Sequence, residues 1–441
     1  MDETASEAGT LAAESSRPGA HDPYEALRFR DFRLYMAGSL IATVAAEMQS
    51  VAVGWEIYQR TRSSIDLGLV GLIQVLPVIF LALPAGQLAD RLSRRKLVMA
   101  TQVALSGASL GLAAVSAARG PIPWIYVCLG AAGIASAFSF PARWALLPQL
   151  VPTSAFGNAM TWQSSGWQVA TVCGPAVGGL ILQQARGRAL PVYLVDAALG
   201  LVVLVVIAAI AEPPRQRSAE PVSMATLLAG VRFVRRTELI LATITLDMFA
   251  VLLGGAVSLL PMFAEDILRV GPAGFGWLRA APSIGAVTMA MVLAHRPPMR
   301  HAGRALLLAV AGFGLATIVF GISKSPSLSF LMLLLAGAFD NISVVVRSTL
   351  VQVLTPDAMR GRVSAVNSIF ISMSNELGGF ESGLAAFFFG PIISVVAGGI
   401  GSILVVVGVA LAWPSVLRLG RLDRTRPGPE EVVLDARAPA G

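Results

Sequence analysis

Glu47, Asp247, Asp340 and Glu376 each interrupt a long apolar run, as do Glu56, Asp196 and Arg279. A charge near the centre of a bilayer costs about 2.5–3.5 kcal/mol on the insertion scale, so each needs a partner or a task. The chemistry open to such carboxylates is reversible protonation. Away from water a carboxylate holds its proton more tightly, and a nearby arginine can trade places with the proton. His21, His295 and His301 lie outside the apolar runs, so any coupled proton must travel on carboxylates. Glu47 shares a helical stripe with Thr43, Ser50 and Gly54, and Asp247 shares one with Thr243 and Gly254. Asp340 and Asn341 are central in their run, with Arg347 two turns on along the Asp340 face. The last acidic run carries a small or polar stripe of Ser368, Ser372, Asn375, Gly379 and Ser382, bordered by Glu376 but not by Glu381. The competing role for any of these acids is a fixed ion pair tying helices together, Asp340 with Arg347 for instance.

The elements that must position these groups follow from hydropathy. The 441 residues are 55% hydrophobic and 13% charged, with a mean hydropathy of +0.71. A soluble domain carries about 25% charged residues, so lipid is the main solvent of this chain. Segments of roughly 20 apolar residues are needed to span a membrane. They are predicted at 34–58, 67–88, 97–118, 123–146, 156–184 and 190–211, and again at 238–264, 274–294, 304–323, 328–352, 362–389 and 391–417. The expected organisation is an N-terminal tail (1–33), a six-helix bundle (34–211), a linker (212–237), a second bundle (238–417) and a C-terminal tail (418–441). Within the linker, Met224–Arg236 reads as an amphipathic helix lying on the membrane surface. Residues 1–27 are polar and have no apolar core of a secretory signal.

Charge then sets the sidedness. About 25 Lys/Arg fall on the side of the termini and about seven on the other, an asymmetry that places both termini in the cytoplasm. The net charge of +7 is therefore topogenic, and no nucleic-acid partner is implied. Cys128 and Cys173 sit in apolar runs and read as small buried side chains. The sequence has no Gly-x-x-x-x-Gly-Lys-Ser/Thr loop, nucleophile elbow or metal-spaced cluster, so no nucleotide, metal, cofactor or enzymatic activity is expected.

The two halves repeat. Leu88–Arg91 recurs as Leu293–Arg296 and Pro77 as Pro282; Arg143 and Pro152 recur as Arg347 and Pro356. Gly174 and Gly179 recur as Gly378 and Gly383 in the same register. A duplicated six-helix unit implies two bundles facing one substrate path near the midplane.

The segment from Gly86 through Asp90-Arg91 to Arg94-Arg95-Lys96, between the second and third spans, resembles the signature loop of the major facilitator superfamily. Ser93 stands where that family has a glycine. The resemblance implies an all-α membrane fold of twelve transmembrane helices in two six-helix bundles. It also implies a cytoplasmic gate formed by Gly86, Asp90, Arg91, Arg94, Arg95, Arg143 and Arg347. In the second half His295 replaces the aspartate, which weakens the loop there. Gly174-Pro175 and Gly178-Gly179 resemble the fifth-helix motif of the superfamily's exporters, with Thr161 and Ala170 replacing two earlier glycines. Phe140–Pro152 and Thr355–Arg362 resemble the branch of enterobactin exporters and multidrug–proton antiporters. In this fold the first, fourth, seventh and tenth helices line the cavity. The resemblance thus implies that Glu47, Asp247 and Asp340, with Asn341, Glu376 and Arg279, serve proton coupling or the substrate cavity.

The resulting expectation is a proton-coupled exporter of an amphipathic, siderophore- or drug-like small molecule, working by alternating access. It would be a monomer in a bacterial plasma or inner membrane, with substrate, protons and the lipid bilayer as partners. Two other functions fit the same residues: a lysophospholipid or other lipid-handling transporter of this fold, and a non-transporting membrane sensor or assembly factor.

Overall fold

A computed structural model describes residues 22–212, 224–297 and 299–420, leaving out the side chains of residues 83, 89–91, 224–227, 357–358 and 365. The expectations placed on 1–21, 213–223 and 421–441 lie outside these residues. Eleven described helices are long and apolar enough to cross a membrane. They are α1 (Arg30–Thr61), α2 (Ser64–Arg91), α3 (Arg94–Ala117), α4 (Ile122–Leu146), α5 (Phe156–Gln184), α6 (Leu190–Ala208), α7 (Glu238–Ile267), α8 (Gly271–Ala294), α9 (Ala302–Ile322), α10 (Pro326–Leu354) and α12 (Pro391–Ala412). Between the last two runs α11 (Asp357–Phe389), a 33-residue helix bearing the polar stripe. Twelve spans result, as hydropathy predicts.

Tight turns hold consecutive helices side by side. At one face the connections pivot on residues in the left-handed region: Arg62, Arg119, Arg186, Arg269 and Gly390 have φ between 48° and 85°. Left-handed residues end helices, and an arginine there places its cation near unsatisfied helix carbonyls. This is the far face. The described chain ends lie at the other, terminal face, where Ala302 and Gly303 N–H donate to Gly420 and Leu419 carbonyls. Asn158, at the start of α5, likewise accepts from Ala26 N–H at 3.0 Å. The linker helix Met224–Arg236 does not lie free on the surface. Phe233 and Val234 are buried in the terminal-face core of the second half, and Gly230 abuts the Arg362 carbonyl of α11.

The sequence repeat reappears as repeated packing. Gly174 of α5 lies against α1, at Val44 and Glu47; Gly378 of α11 lies against α7, at Val251 and Leu252. Gly179 meets α8 at Pro272 and Gly276, whereas Gly383 meets α2 at Ser64 and Gly68. One register of small residues thus makes the same pair of contacts twice, within a half and across to the other. Side chains at Gly179 or Gly383 would collide with backbone, since a Cβ would stand 2.8 Å from Pro272 O and 2.6 Å from Ser64 O respectively. Close approach of this kind drives helix association where lipid offers no hydrophobic gain.

The halves meet at the far face and part at the terminal face. One core there joins Met48, Trp55 and Leu182 of the first half to Leu259, Phe263 and Phe275 of the second. The terminal-face cores are separate, one in each half. The buried residues of α8 all lie between Phe275 and Gly285, and those of α5 run from Ala170 to Leu182 with Ala159 the sole earlier one.

One span departs from expectation. The helix expected over 238–264 is regular only to Leu253, gives way at Gly254–Gly255 to a 3-10 turn (Ala256–Leu259), and ends in a π-turn (Phe263–Ile267). The adjacent glycines permit the break, and Pro261 stands in the first turn of the helix that resumes at Leu260, where its missing N–H costs no hydrogen bond.

Candidate functional site

Between the halves, opening toward the terminal face, lies a cavity of about 770 Å³. Its acidic lining is Glu47 from α1, Asp340 from α10 and Glu376 from α11, with Arg279 of α8 among them. Ser50, Gln74, Ser136, Ser372 and Asn375 add neutral polar groups; Trp167 and Phe275 add aromatic ones. The broken part of α7, Gly254–Ser258, forms part of the wall. Irregular backbone is tolerated at membrane depth where it lines such a cavity.

The sequence stripes place these groups. Ser50 and Gly54 line the cavity one and two turns beyond Glu47, and Ser372, Asn375 and Gly379 do so beside Glu376. Arg279 donates to Ser50 Oγ at 2.8 Å, bridging the halves. It lies within electrostatic reach of Glu47 and of Glu376, while its Nε has no partner. The stem of Glu47 runs along Gly174, and the Glu376 carboxylate lies over Gly71 of α2, where a Cβ would displace it.

The membrane-embedded acids divide into two kinds. Among the described residues no group hydrogen-bonds or ion-pairs with the carboxylates of Glu47, Asp340 or Glu376, which face the cavity instead. The other acids are partnered inside one half. Asp196 accepts from Gln49 at 2.8 Å and Ser109 at 2.6 Å. Glu56 pairs with Arg60 at 3.2 Å, and Asp66 accepts from the Tyr126 hydroxyl at 2.8 Å.

Asp247 belongs to this second kind. It is 6% exposed, lies outside the cavity lining and is ion-paired to Arg347, itself 3% exposed. The expected cavity position of Asp247 gives way to a tie between α7 and α10, and the partner of Arg347 is Asp247, not Asp340. Burial without solvent is tolerated because the pair neutralises itself. Asn341 is also outside the lining, with its Oδ1 unpartnered.

The described residues of the expected terminal-face gate are dispersed in this conformation. Arg143 donates to Gln102 at 2.8 Å, and the Tyr35 hydroxyl donates to the Arg143 carbonyl at 3.0 Å. Arg94 donates to the Ala145 carbonyl at 2.7 Å, and Arg95 to those of Ile207 and Ala208. These two arginines thereby neutralise the ends of α4 and α6, where a helix dipole favours a cation. Gly86 is half-buried on α2, and the side chains of Asp90 and Arg91 lie outside the description. In the α5 motif, Gly174 and Gly178 serve contact with α1, Gly179 serves contact with α8, and Pro175 presents its carbonyl to Gly276.

Sequence reasoning missed the closure of the far face. Arg62 reaches across the halves to Glu265 at 3.4 Å and Asp266 at 3.0 Å. The Tyr58 hydroxyl donates to Asp266, and the Arg62 guanidinium lies 5.3 Å from the Tyr58 ring centre. Beneath this latch, Trp55 stacks on Phe275 with centroids 5.9 Å apart. Opposite charges in the two short loops were the available signal.

Comparison with known proteins accords with this geometry. The family described as transmembrane secretion effector matches residues 21–425. The enterobactin exporters EntS of Shigella boydii serotype 18 and Escherichia coli O81 are each 26% identical over 405 residues, 91% of this chain and 94% of theirs. The fold is similar to a bacterial homologue of the human lysosomal transporter Spinster, inward-facing and occupied, with TM-score 0.71, 15% identity, and coverage of 93% of this chain and 100% of that one. A POT family transporter in complex with 5-aminolevulinic acid gives TM-score 0.69 at 11% identity, covering 88% of this chain and 96% of that one.

Proposed function

The chain belongs to the transmembrane secretion effector family of major facilitator transporters, and from that premise we propose that it exports an amphipathic small molecule in exchange for protons. The observation that carries this reading is the trio of carboxylates, Glu47, Asp340 and Glu376, that share one cavity between two halves and have no hydrogen bond or ion pair among the described residues. The EntS relatives, named as exporters of a siderophore, favour the outward direction. The charge asymmetry of the loops makes the terminal face cytoplasmic, in a bacterial inner membrane. The conformation described is then the inward-facing one.

In this state the cavity takes up substrate from the cytoplasm while its carboxylates give up their protons. The halves then rock. The Arg62 latch to Glu265 and Asp266 opens, α5 slides on α8 and α2 on α11 at their glycine contacts, and the cavity turns outward. There the substrate leaves, protons return to the carboxylates, and the neutralised carrier swings back. In the outward-facing state Gly86, Asp90, Arg91, Arg94, Arg95, Arg143 and Arg347 contribute to closing the terminal face. Because each acid binds either a proton or the substrate, movement of one down its gradient drives the other up.

The test uses proteoliposomes with an acidic interior and the cytoplasmic face outward. Addition of enterobactin, or of drug-like amphipaths, drains luminal protons through the wild-type protein and much less through Glu376→Gln. Uptake that persists unchanged after the pH gradient is dissipated overturns proton coupling.

A further inference from the structure

We propose that Asp196 is a proton-binding site outside the cargo cavity, reached from the far face through polar groups and water enclosed by the first half. This goes beyond the export reading and holds whatever the cargo.

Asp196 is buried where α6 packs on α1 and α3, and it lines no part of the cavity. Its carboxylate accepts from neutral groups, the Gln49 amide at 2.8 Å and the Ser109 hydroxyl at 2.6 Å. No cation pairs with it among the described residues. The titratable groups nearby are Tyr193 on α6 and the Glu56–Arg60 pair on α1. The facing side of α3 offers only neutral Gln102, Ser106 and Ser109, and α5 contains no Asp, Glu, Lys or Arg. A buried charge without a counter-charge is costly, and a proton removes it.

These groups form a track along the inside of the half. Gln102, Ser106 and Ser109 repeat at helical spacing on α3, as do Tyr193, Asp196 and Gly200 on α6 and Gln49, Glu56 and Arg60 on α1. Toward the far face, Tyr193 lies within electrostatic reach of both Asp196 and Glu56. Glu56 pairs with the partly exposed Arg60, which donates to the Gly120 carbonyl in the far-face turn. Toward the terminal face, Gln102 accepts from Arg143 at 2.8 Å.

Direct hydrogen bonds lapse at two places, between Glu56 and Tyr193 and at Ser106. There Glu56 Oε2, the Tyr193 hydroxyl and Ser106 Oγ have no partner among the described residues, although each residue is 8% exposed or less. Gly200 leaves room beside Ser106, since a Cβ there would strike its Oγ. Buried polar atoms of this kind are met by ordered water, which makes about three hydrogen bonds. Water at these two breaks completes the track. Its terminal end is barred by the Arg143 guanidinium, whose charge repels protons.

The fold itself does not require this track. In the second half α12 carries no ionisable residue and α9 only Arg304, in its first turn, yet the glycine packing repeats. A proton entering past Arg60 moves along water and the Tyr193 hydroxyl, which accepts one proton as it releases its own. It ends on a carboxylate oxygen of Asp196 and leaves that group neutral. Cargo in the cavity does not touch it, so this proton is carried in addition to those that cargo displaces.

Infrared difference spectra of the purified protein across a pH series test the site. The wild type shows a titrating carboxyl C=O band that Asp196→Asn loses. Glu47→Gln/Asp340→Asn/Glu376→Gln keeps that band, and the cargo probe tetraphenylphosphonium does not displace it. Asp196→Glu shifts the band, a readout that survives poor folding of Asp196→Asn. Spectra unchanged by both substitutions overturn the site and leave the export reading to be judged by proton drain from proteoliposomes. In proteoliposomes with the cytoplasmic face outward, the band follows the luminal pH; a band that follows the external pH overturns far-face entry. Ser106→Ala lowers the unfolding temperature, because a hydroxyl bonded to water is lost. An unchanged or higher value, as for removal of a dry unpartnered hydroxyl, overturns the water track.

Discussion

The first and second halves share their packing and differ in their charges. Gly174 and Gly179 make in the first half the contacts that Gly378 and Gly383 make in the second. Yet Arg143 donates to neutral Gln102, whereas its counterpart Arg347 is neutralised by Asp247. The cavity shows the same contrast: Ser136 lines it at the position corresponding to Asp340, and Glu47 is the sole acid from the first half. Packing repeats because helix approach has few solutions, and both halves must slide on each other at equivalent surfaces. The charges need not repeat, because one pathway has only one set of ligands.

The largest effect separates the two arginines. Asp247→Asn leaves Arg347 charged and unpaired in the interior, a loss of about 3–5 kcal/mol, read as a lowered unfolding temperature of the solubilised protein. Gln102→Leu removes only a neutral acceptor from Arg143, a loss of about 1.5–3 kcal/mol. Equal losses would erase the distinction between the halves.

Packing predicts symmetry where charge predicts none. Gly179→Val and Gly383→Val each force backbone apart at the far face, at a cost of about 1–3 kcal/mol to the closed arrangement. Distances between paired labels on the far-face loops then lengthen alike in both variants. A shift in one variant alone would break the equivalence.

Asp340→Asn and Glu376→Gln lower transport about tenfold or more, equivalent to about 1.4 kcal/mol, with an unfolding temperature near that of the unmodified protein. Ser136→Ala, at the counterpart of Asp340, leaves transport nearly intact. The smallest effect belongs to the latch. Arg62→Ala removes half-exposed ion pairs worth about 0.2–1 kcal/mol, which raises the far-face-open fraction by a factor of about 1.4 to 5. High salt mimics this change, because exposed pairs are screened.

Much of this was legible in the residues. Apolar length gave twelve spans, and the small-residue register gave the repeated contacts. The stripe through Glu47, Ser50 and Gly54 and the one through Ser372, Asn375 and Gly379 both turned out to face the cavity. Asp247 was misread because facing the cavity or facing Arg347 differs only by a modest helix rotation, which spacing cannot resolve. The break at Gly254–Gly255 was hidden for another reason. Gly178–Gly179, Gly378–Gly379 and Gly398–Gly399 are equally adjacent pairs inside unbroken helices, so tertiary contact decides which pair yields. The Arg62 latch joins loops from different halves, and its existence depends on which face is closed.

The central claim is that substrate and protons alternate on the carboxylates of the cavity between the halves. Proton release on binding tests it most directly, with tetraphenylphosphonium added to the purified protein in lightly buffered solution containing a pH indicator. The wild-type protein acidifies the solution on binding, and Glu47→Gln/Asp340→Asn/Glu376→Gln does not. Binding by the wild type without proton release, or equal release by the triple variant, would contradict the account.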